Sequence, residues 1–173
     1  MLAPFKLPSA TTRLDGTQAL QRAPCDLAAL LRACVESLPP LPASDVTLTL
    51  ALADDLGSIA VDARLLSRAV CNLLGNARRY ADTRVLLRAA RAGDVVTIVV
   101  EDDGPGIPAA EREQVFAPFY RLDRSRDRAT GGFGLGLAIA RKAVQLHGGS
   151  LVVAEGSLKG ASMVITLPRA GTA

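Results

Sequence analysis

The sequence predicts an α/β fold: a two-layer sandwich with helices on one face of a mixed, mostly antiparallel sheet. Strand-like runs follow one another across short turn signals, at 84–91 with 94–102 and at 150–156 with 161–168. The helices, by contrast, cluster in sequence instead of alternating strictly with strands. Hairpin-joined strands with clustered helices favour a helix-backed antiparallel sheet over a doubly wound parallel one.

The composition allows such a core. The chain has 173 residues, 49% apolar and 21% charged, enough for one domain and too apolar for global disorder. Aromatics are 3% and Trp is absent, so Leu, Val, Ile and Ala must fill the interior. A net charge of +3, with 17 acidic residues dispersed among 20 basic ones, gives no footprint for nucleic acid. Cys25, Cys34 and Cys71 are odd in number and lack CxxC spacing, which points to free thiols in a reducing compartment. His147 is the only histidine, so no His-based metal site is expected. No apolar run has membrane-spanning length and the N-terminus lacks signal-peptide order, so a soluble, cytoplasmic domain is expected.

In order, residues 1–24 show no period and read as a tail or linker. Asp26 caps a short amphipathic helix, DLAALLRACVESL, stopped by Pro39, Pro40 and Pro42. VTLTLAL at 46–52 alternates as a strand, and SIAVD at 58–62 is a second, shorter one. Asp62 caps the strongest helix, whose stripe is Leu66, Val70, Leu73 and Ala77. The 84–91 and 94–102 strands turn at Ala92-Gly93; a short helix, AAEREQVF, follows. RLDRSRDRATGG has no apolar period, a helix runs from about Gly134 to Leu146, and two strands joined through Ser157-Leu158-Lys159-Gly160 close the chain.

Four stretches carry possible chemistry. Asn72 and Asn76 are four apart and Arg79 seven from Asn72, on one helix face with Tyr80 beside them. Asn is a poor helix former, so this is either a solvated face or a pair of amide oxygens for Mg²⁺. VEDDGPGIP ends a buried-looking strand in three carboxylates. Asp102 there could accept a bond from adenine's amino group, where guanine presents a carbonyl. Gly104 and Gly106 would let the backbone approach a flat base. Otherwise the stretch is an acidic turn. Gly131, Gly132, Gly134 and Gly136 lead into a helix whose free N–H groups could face an anion, or form a hinge; no Gly-Lys-Ser/Thr follows, so this is not a Walker A loop. Arg121, Arg124, Arg126 and Arg128 alternate with acids in a segment suited to a solvated loop or a phosphate-closing lid.

In this order, NLLGNARRY, EDDGPGIP, FAPFYR and GGFGLGLAIA resemble the N, G1, F and G2 boxes of the catalytic ATP-binding (HATPase_c, GHKL-type) domain of bacterial sensor histidine kinases. The lid resembles the RstB-like group. The likeness spans about 25–168, which it implies is the catalytic domain, with 1–24 a remnant of dimerisation helix and linker and 169–173 a tail. It implies ATP and Mg²⁺ as cofactors. Asn76, assisted by Asn72, would hold the metal; Arg79, Arg121 and Arg126 would reach phosphate; Tyr80 would line the pocket. Asp102 would bind the adenine amino group and Ile107 pack on the base, with Glu101 and Asp103 as solvated flanks. Gly132, Gly134, Gly136 and the Leu135 backbone would surround the phosphates.

The likeness also implies a reaction: transfer of the γ-phosphoryl group to a His on a separate dimerisation domain, then to a response regulator. The acceptor motif is missing, and His147 in LHGG reads as a helix-end residue. The expected picture is thus a monomeric fragment of a membrane-anchored homodimeric kinase, unable to phosphorylate itself. In related ATPases a water-activating Glu stands where Asn72 stands here, and an amide is no general base. A GHKL ATPase, an anti-sigma-type Ser kinase and a non-catalytic nucleotide-sensing module are the alternatives.

Overall fold

The computed structural model describes residues 20–40, 45–122 and 134–169. Strand β1 (Ala23–Asp26) leads into helix α1 (Leu27–Glu36), and β2 (Thr47–Leu52) and β3 (Ser58–Val61) precede helix α2 (Ala63–Tyr80). Strands β4 (Arg84–Ala92) and β5 (Val95–Asp102) follow, then two 3₁₀ turns, helix α3 (Gly136–Leu146), and strands β6 (Ser150–Ala154) and β7 (Ser162–Pro168). Five strands form one sheet in the order β2-β4-β5-β7-β6, parallel only between β2 and β4; β1 and β3 form a separate antiparallel pair. The expected two-layer sandwich with a mixed, mostly antiparallel sheet is what forms.

Each expected cap is present. The Asp26 side chain accepts from Ala29 N at 3.0 Å and starts α1; the Asp62 side chain accepts from Arg64 N and Leu65 N at 3.2 and 3.3 Å and starts α2. The stripe of α2, widened by Ala69 and Leu74, is buried against α1, α3 and the sheet. On β5, Val96, Ile98 and Val100 are fully buried. Residues of that parity face the helices and those between them face the other side. The core is aliphatic, as the lack of aromatics requires.

Two elements differ from expectation. AAEREQVF forms no helix: its ends wind into 3₁₀ turns, Ala109–Glu111 and Gln114–Phe116. Arg141 of α3 anchors the second turn, stacking 4.6 Å from the Phe116 ring centroid and binding Glu113 Oε2 at 2.9 Å. The small strand β1 is also unforeseen, and it starts inside the stretch read as linker. Next to it Gln21 N donates to Asp62 Oδ2 at 3.2 Å, and Arg22 Nη2 donates to Leu146 O at 3.1 Å at the end of α3.

Candidate functional site

The three carboxylates closing β5 have three different environments. Glu101 faces away from the helices and is fully buried. Its Oε1 meets Arg88 Nη2 at 2.7 Å, and its Oε2 accepts from Ser157 N, Ser157 Oγ and Leu158 N at 2.8, 2.7 and 3.2 Å. Burial opposes its ionisation, but these bonds and the Arg88 charge outweigh it and hold the carboxyl below its ordinary range. Asp103 lies past the strand. It accepts from Asp82 N, Thr83 N and Arg84 N at 3.0, 3.0 and 2.9 Å and from Thr83 Oγ1 at 2.7 Å, tying the α2–β4 turn together. Those bonds hold it far below the ordinary carboxylate range. Neither residue is a solvated flank. Only a partner set for each acid lets three of them end one strand.

Asp102 is the exception. It points to the helix side and is 5% exposed. Its Oδ1 accepts from Gly104 N and Ala161 N at 3.0 and 3.2 Å, while Oδ2 takes no hydrogen bond among the described residues. Burial pushes this carboxyl up from its ordinary value; the two N–H bonds pull back, and nearby Asp103 and Asp82 add to the upward push.

Its surroundings depend on missing side chains. A methyl on Gly104 would overlap the Tyr80 carbonyl, so Gly104 lets the loop close against the end of α2. A methyl on Gly160 would overlap Asp102 Oδ1 and its carbonyl. Gly160 N instead donates to Asp102 O at 3.1 Å, seating the β6–β7 connection on the acid. The sequence places Gly160 at the end of a turn and Ala161 at the start of the last strand, and no spacing ties either to Asp102. Gly106 takes φ +75°, and half-buried Ile107 packs on the core rim. Both line an open groove of about 370 Å³ with the β6–β7 connection. Asn72, Asn76, Tyr80 and Asp102 do not line that groove.

Helix α2 carries the other half. Asn72 Nδ2 donates to Gly136 O at 3.2 Å, at the start of α3, which leaves its Oδ1 without a partner among the described residues. The side chain of half-buried Asn76 makes no hydrogen bond among them. Tyr80, 37% exposed, ends the helix beside Gly104. From Asn72 through Asn76 to Tyr80 is about 12 Å along one helix face, which joins the start of α3 to the Asp102 rim. Arg79 is exposed in the last turn, where a cation also suits the helix dipole. Leu135 precedes α3 without a side-chain cap, so the first N–H groups of that helix are not blocked by one. Gly134 (φ +68°) accepts from Phe119 N at 2.9 Å, and Phe119 itself takes φ +65°. Arg121 is half-buried nearby in sequence. Arg126 and Gly132 lie outside the described residues.

His147 is 3% exposed, and both ring nitrogens are engaged inside the domain. Asp62 N donates to Nε2 at 2.9 Å, so Nδ1 carries the proton and donates to Ala143 O at 2.7 Å.

The fold and this rim define a domain of the ATP-binding α/β-sandwich class to which the sequence boxes pointed. Residues 61–171 match the family described as histidine kinase-, DNA gyrase B- and HSP90-like ATPase, and the chain belongs to that family. Within it, the chain is an ATP-binding domain of the sensor histidine kinase type. It is 47% identical over 103 residues to the sensor histidine kinase CpxA of Escherichia coli K12, covering 60% of this chain and 22% of CpxA. It is 46% identical over 109 residues to the sensor protein RstB of the same strain, covering 63% of this chain and 25% of RstB. The chain thus spans about a quarter of the length of these relatives. Among solved structures it resembles the mycobacterial sensor histidine kinase MprB, with TM-score 0.73 and 29% identity over 87% of this chain and 99% of that one. It also resembles full-length ShkA in complex with AMPPNP, with TM-score 0.76 and 30% identity over 90% of this chain and 32% of that one.

Proposed function

We propose that this domain binds Mg²⁺–ATP along the face of α2 and delivers the γ-phosphoryl group to a His on a separate dimerisation domain, from which it passes to a response regulator. The observation that carries this is Asp102: a nearly buried acid held by two backbone N–H groups, with one oxygen left over at the rim. That oxygen can accept from an exocyclic amino group, which adenine has where guanine has a carbonyl. The AMPPNP complex of ShkA supports an adenine nucleotide as the ligand.

The chain's own residues supply position and charge. Asn76 and Asn72 offer hard amide oxygens without partners among the described residues, a donor set suited to Mg²⁺, and they would hold it. When bound, the metal neutralises polyphosphate charge. The uncapped start of α3, with Gly134, Leu135 and Gly136, offers backbone N–H groups to phosphate, and Arg79, Arg121 and Arg126 add positive charge. Tyr80, Gly104, Gly106 and Ile107 wall the base. His147 is not the acceptor in this reading, because both its nitrogens are engaged in the interior. Transfer is favoured over built-in hydrolysis, because Asn72 stands where a general base would be needed and cannot act as one. By the same reading the parent is a membrane-anchored homodimer with this domain on the cytoplasmic side.

Calorimetric titration with ATP, ADP and GTP, with and without Mg²⁺, tests the proposal. ATP and ADP should bind, GTP should bind at least about tenfold more weakly, and Asn76→Ala should abolish the magnesium dependence. Equal affinity for ATP and GTP would overturn the assignment of Asp102. An unaltered magnesium dependence in Asn76→Ala would overturn that of Asn76.

A further inference from the structure

The three free thiols take no part in the site above, yet Cys34 and Cys71 both lie at the α1–α2 interface. Cys34 of α1 is 2% exposed, and its Sγ donates to Ser67 O at 3.8 Å. That carbonyl belongs to the turn of α2 that ends at Cys71, since helical bonds run from residue i to i−4. The relation is reciprocal. Ser37 Oγ donates to Cys34 O at 2.9 Å and lies 3.7 Å from Cys71 Sγ. Both sulfurs thus lie where the last turn of α1 meets the Ser67–Cys71 turn of α2. Cys71 is half-buried. Burial, with the neighbouring Cys71 thiol adding to it, pushes the Cys34 thiol up to about 12, and of the two sulfurs only the one on half-buried Cys71 is open to a reagent from solvent. Among the described residues no group of three His, Cys, Asp or Glu could hold a metal ion.

We propose that Cys34 and Cys71 form a redox-active dithiol whose oxidation by a peroxide joins α1 to α2 and weakens nucleotide binding. The Cys71 thiolate attacks one peroxide oxygen; the O–O bond breaks, and the departing hydroxide leaves as water after taking up a proton. The resulting Cys71 sulfenic acid is then attacked by Cys34 sulfur. The S–S bond forms as the S–O bond breaks, and the second hydroxide leaves as water with the Cys34 proton. Two thiols lose two electrons and two protons, and one peroxide becomes two waters. The effect on binding rests on the nucleotide reading above. Cys71 immediately precedes Asn72 on α2, so drawing its side chain toward α1 turns the helix that presents Asn72 and Asn76.

The test uses a Cys25→Ala background, which leaves only the pair. The folded domain is treated with hydrogen peroxide, free thiols are alkylated, and the protein is digested without reductant for mass spectrometry. The expected product is one cross-linked peptide pair joining Cys34 to Cys71, reversed by dithiothreitol. Oxidation should raise the calorimetric Kd for ATP about tenfold, with recovery on reduction. In Cys71→Ser, peroxide should leave the Kd unchanged and Cys34 alkylatable after unfolding. Conversion of Cys71 to a sulfinic acid with Cys34 still free would overturn the pairing. Cross-linked protein that binds ATP as tightly as reduced protein would overturn the regulatory effect. Reduced protein with no affinity for ATP would sink the nucleotide reading, and the regulatory effect with it, while the cross-link is still scored by mass.

Discussion

Two aspartates mark the two ends of α2, Asp62 at its start and Asp102 on the strand that meets its end. They are equally hidden from solvent, at 3% and 5% exposed. Their charges nevertheless behave in opposite ways. Both oxygens of Asp62 are satisfied, Oδ1 by Arg64 N and Leu65 N and Oδ2 by Gln21 N. Burial opposes its ionisation, but those bonds and the Arg64 charge win, and its carboxyl lies below the ordinary range. Asp102 has two bonds on one oxygen and none on the other among the described residues, and burial wins. Burial alone therefore does not distinguish a structural acid from the one proposed to bind. The count of satisfied lone pairs does.

The largest separation of the two ends should come from Asp62→Ala. It removes the cap of α2, the anchor of Gln21, and the acid adjoining the His147 contact. Loss of an N-cap together with buried unsatisfied donors should cost about 2–4 kcal/mol of unfolding free energy. Urea unfolding measures this. In the fraction that stays folded, the Kd for ATP should remain within about twofold of wild type. A drop in affinity as large as the drop in stability would erase the distinction between the ends.

Asp102→Asn should do the reverse. The amide oxygen can still accept from Gly104 N and Ala161 N, so the loop keeps its fastening. What changes is the free position, which becomes a donor facing adenine's donor. Affinity for ATP should fall about 10–100-fold and discrimination against GTP should narrow, the size expected for one mispaired base contact. Unfolding free energy at neutral pH should stay within about 0.5 kcal/mol of wild type or rise above it, because an acid that resists ionisation is gone. A binding residue whose removal does not weaken the fold is the signature sought.

The same difference explains what could be read from the sequence. The caps at Asp26 and Asp62, the stripe of α2 and the two hairpins are local signals, set by residues three to eight apart, and each was legible. The role proposed for Asp102 comes from the boxes around it, which resemble a family, not from its charge state, which the sequence does not show. Glu101 was misread as a solvated flank because its partners, Arg88, Ser157 and Leu158, come from β4 and from the β6–β7 connection. Strand β1 was invisible for the same reason: APCD carries no alternation, and its register is set by Ser58–Val61. Gly160 and the thiol pair belong to this class too. Local periodicity encodes elements, whereas long-range contacts decide which polar group is left with something to offer.

The smallest predicted effect is also the most direct reading of the two charges. Stability changes with pH in proportion to the protons bound by the unfolded chain minus those bound by the folded one. For Asp62 the folded carboxyl is the stronger acid. Its contribution is present above the ordinary carboxylate value of about 4 and is lost as pH falls through the folded value. For Asp102 the folded carboxyl is the weaker acid. The folded state holds that proton longer, so stability declines as pH rises from about 4 through the raised value. Asp62→Asn should therefore flatten the acid limb of the unfolding curve below about pH 4, without affecting its shape above. Asp102→Asn should steepen the rise just above about pH 4, without affecting it below. Midpoints of urea unfolding taken at half-unit steps between pH 3 and 6 would resolve the two windows. Deviations of both variants on the same side of the ordinary value would mean that the two acids are held alike, and that an unfilled oxygen at the rim does not set Asp102 apart.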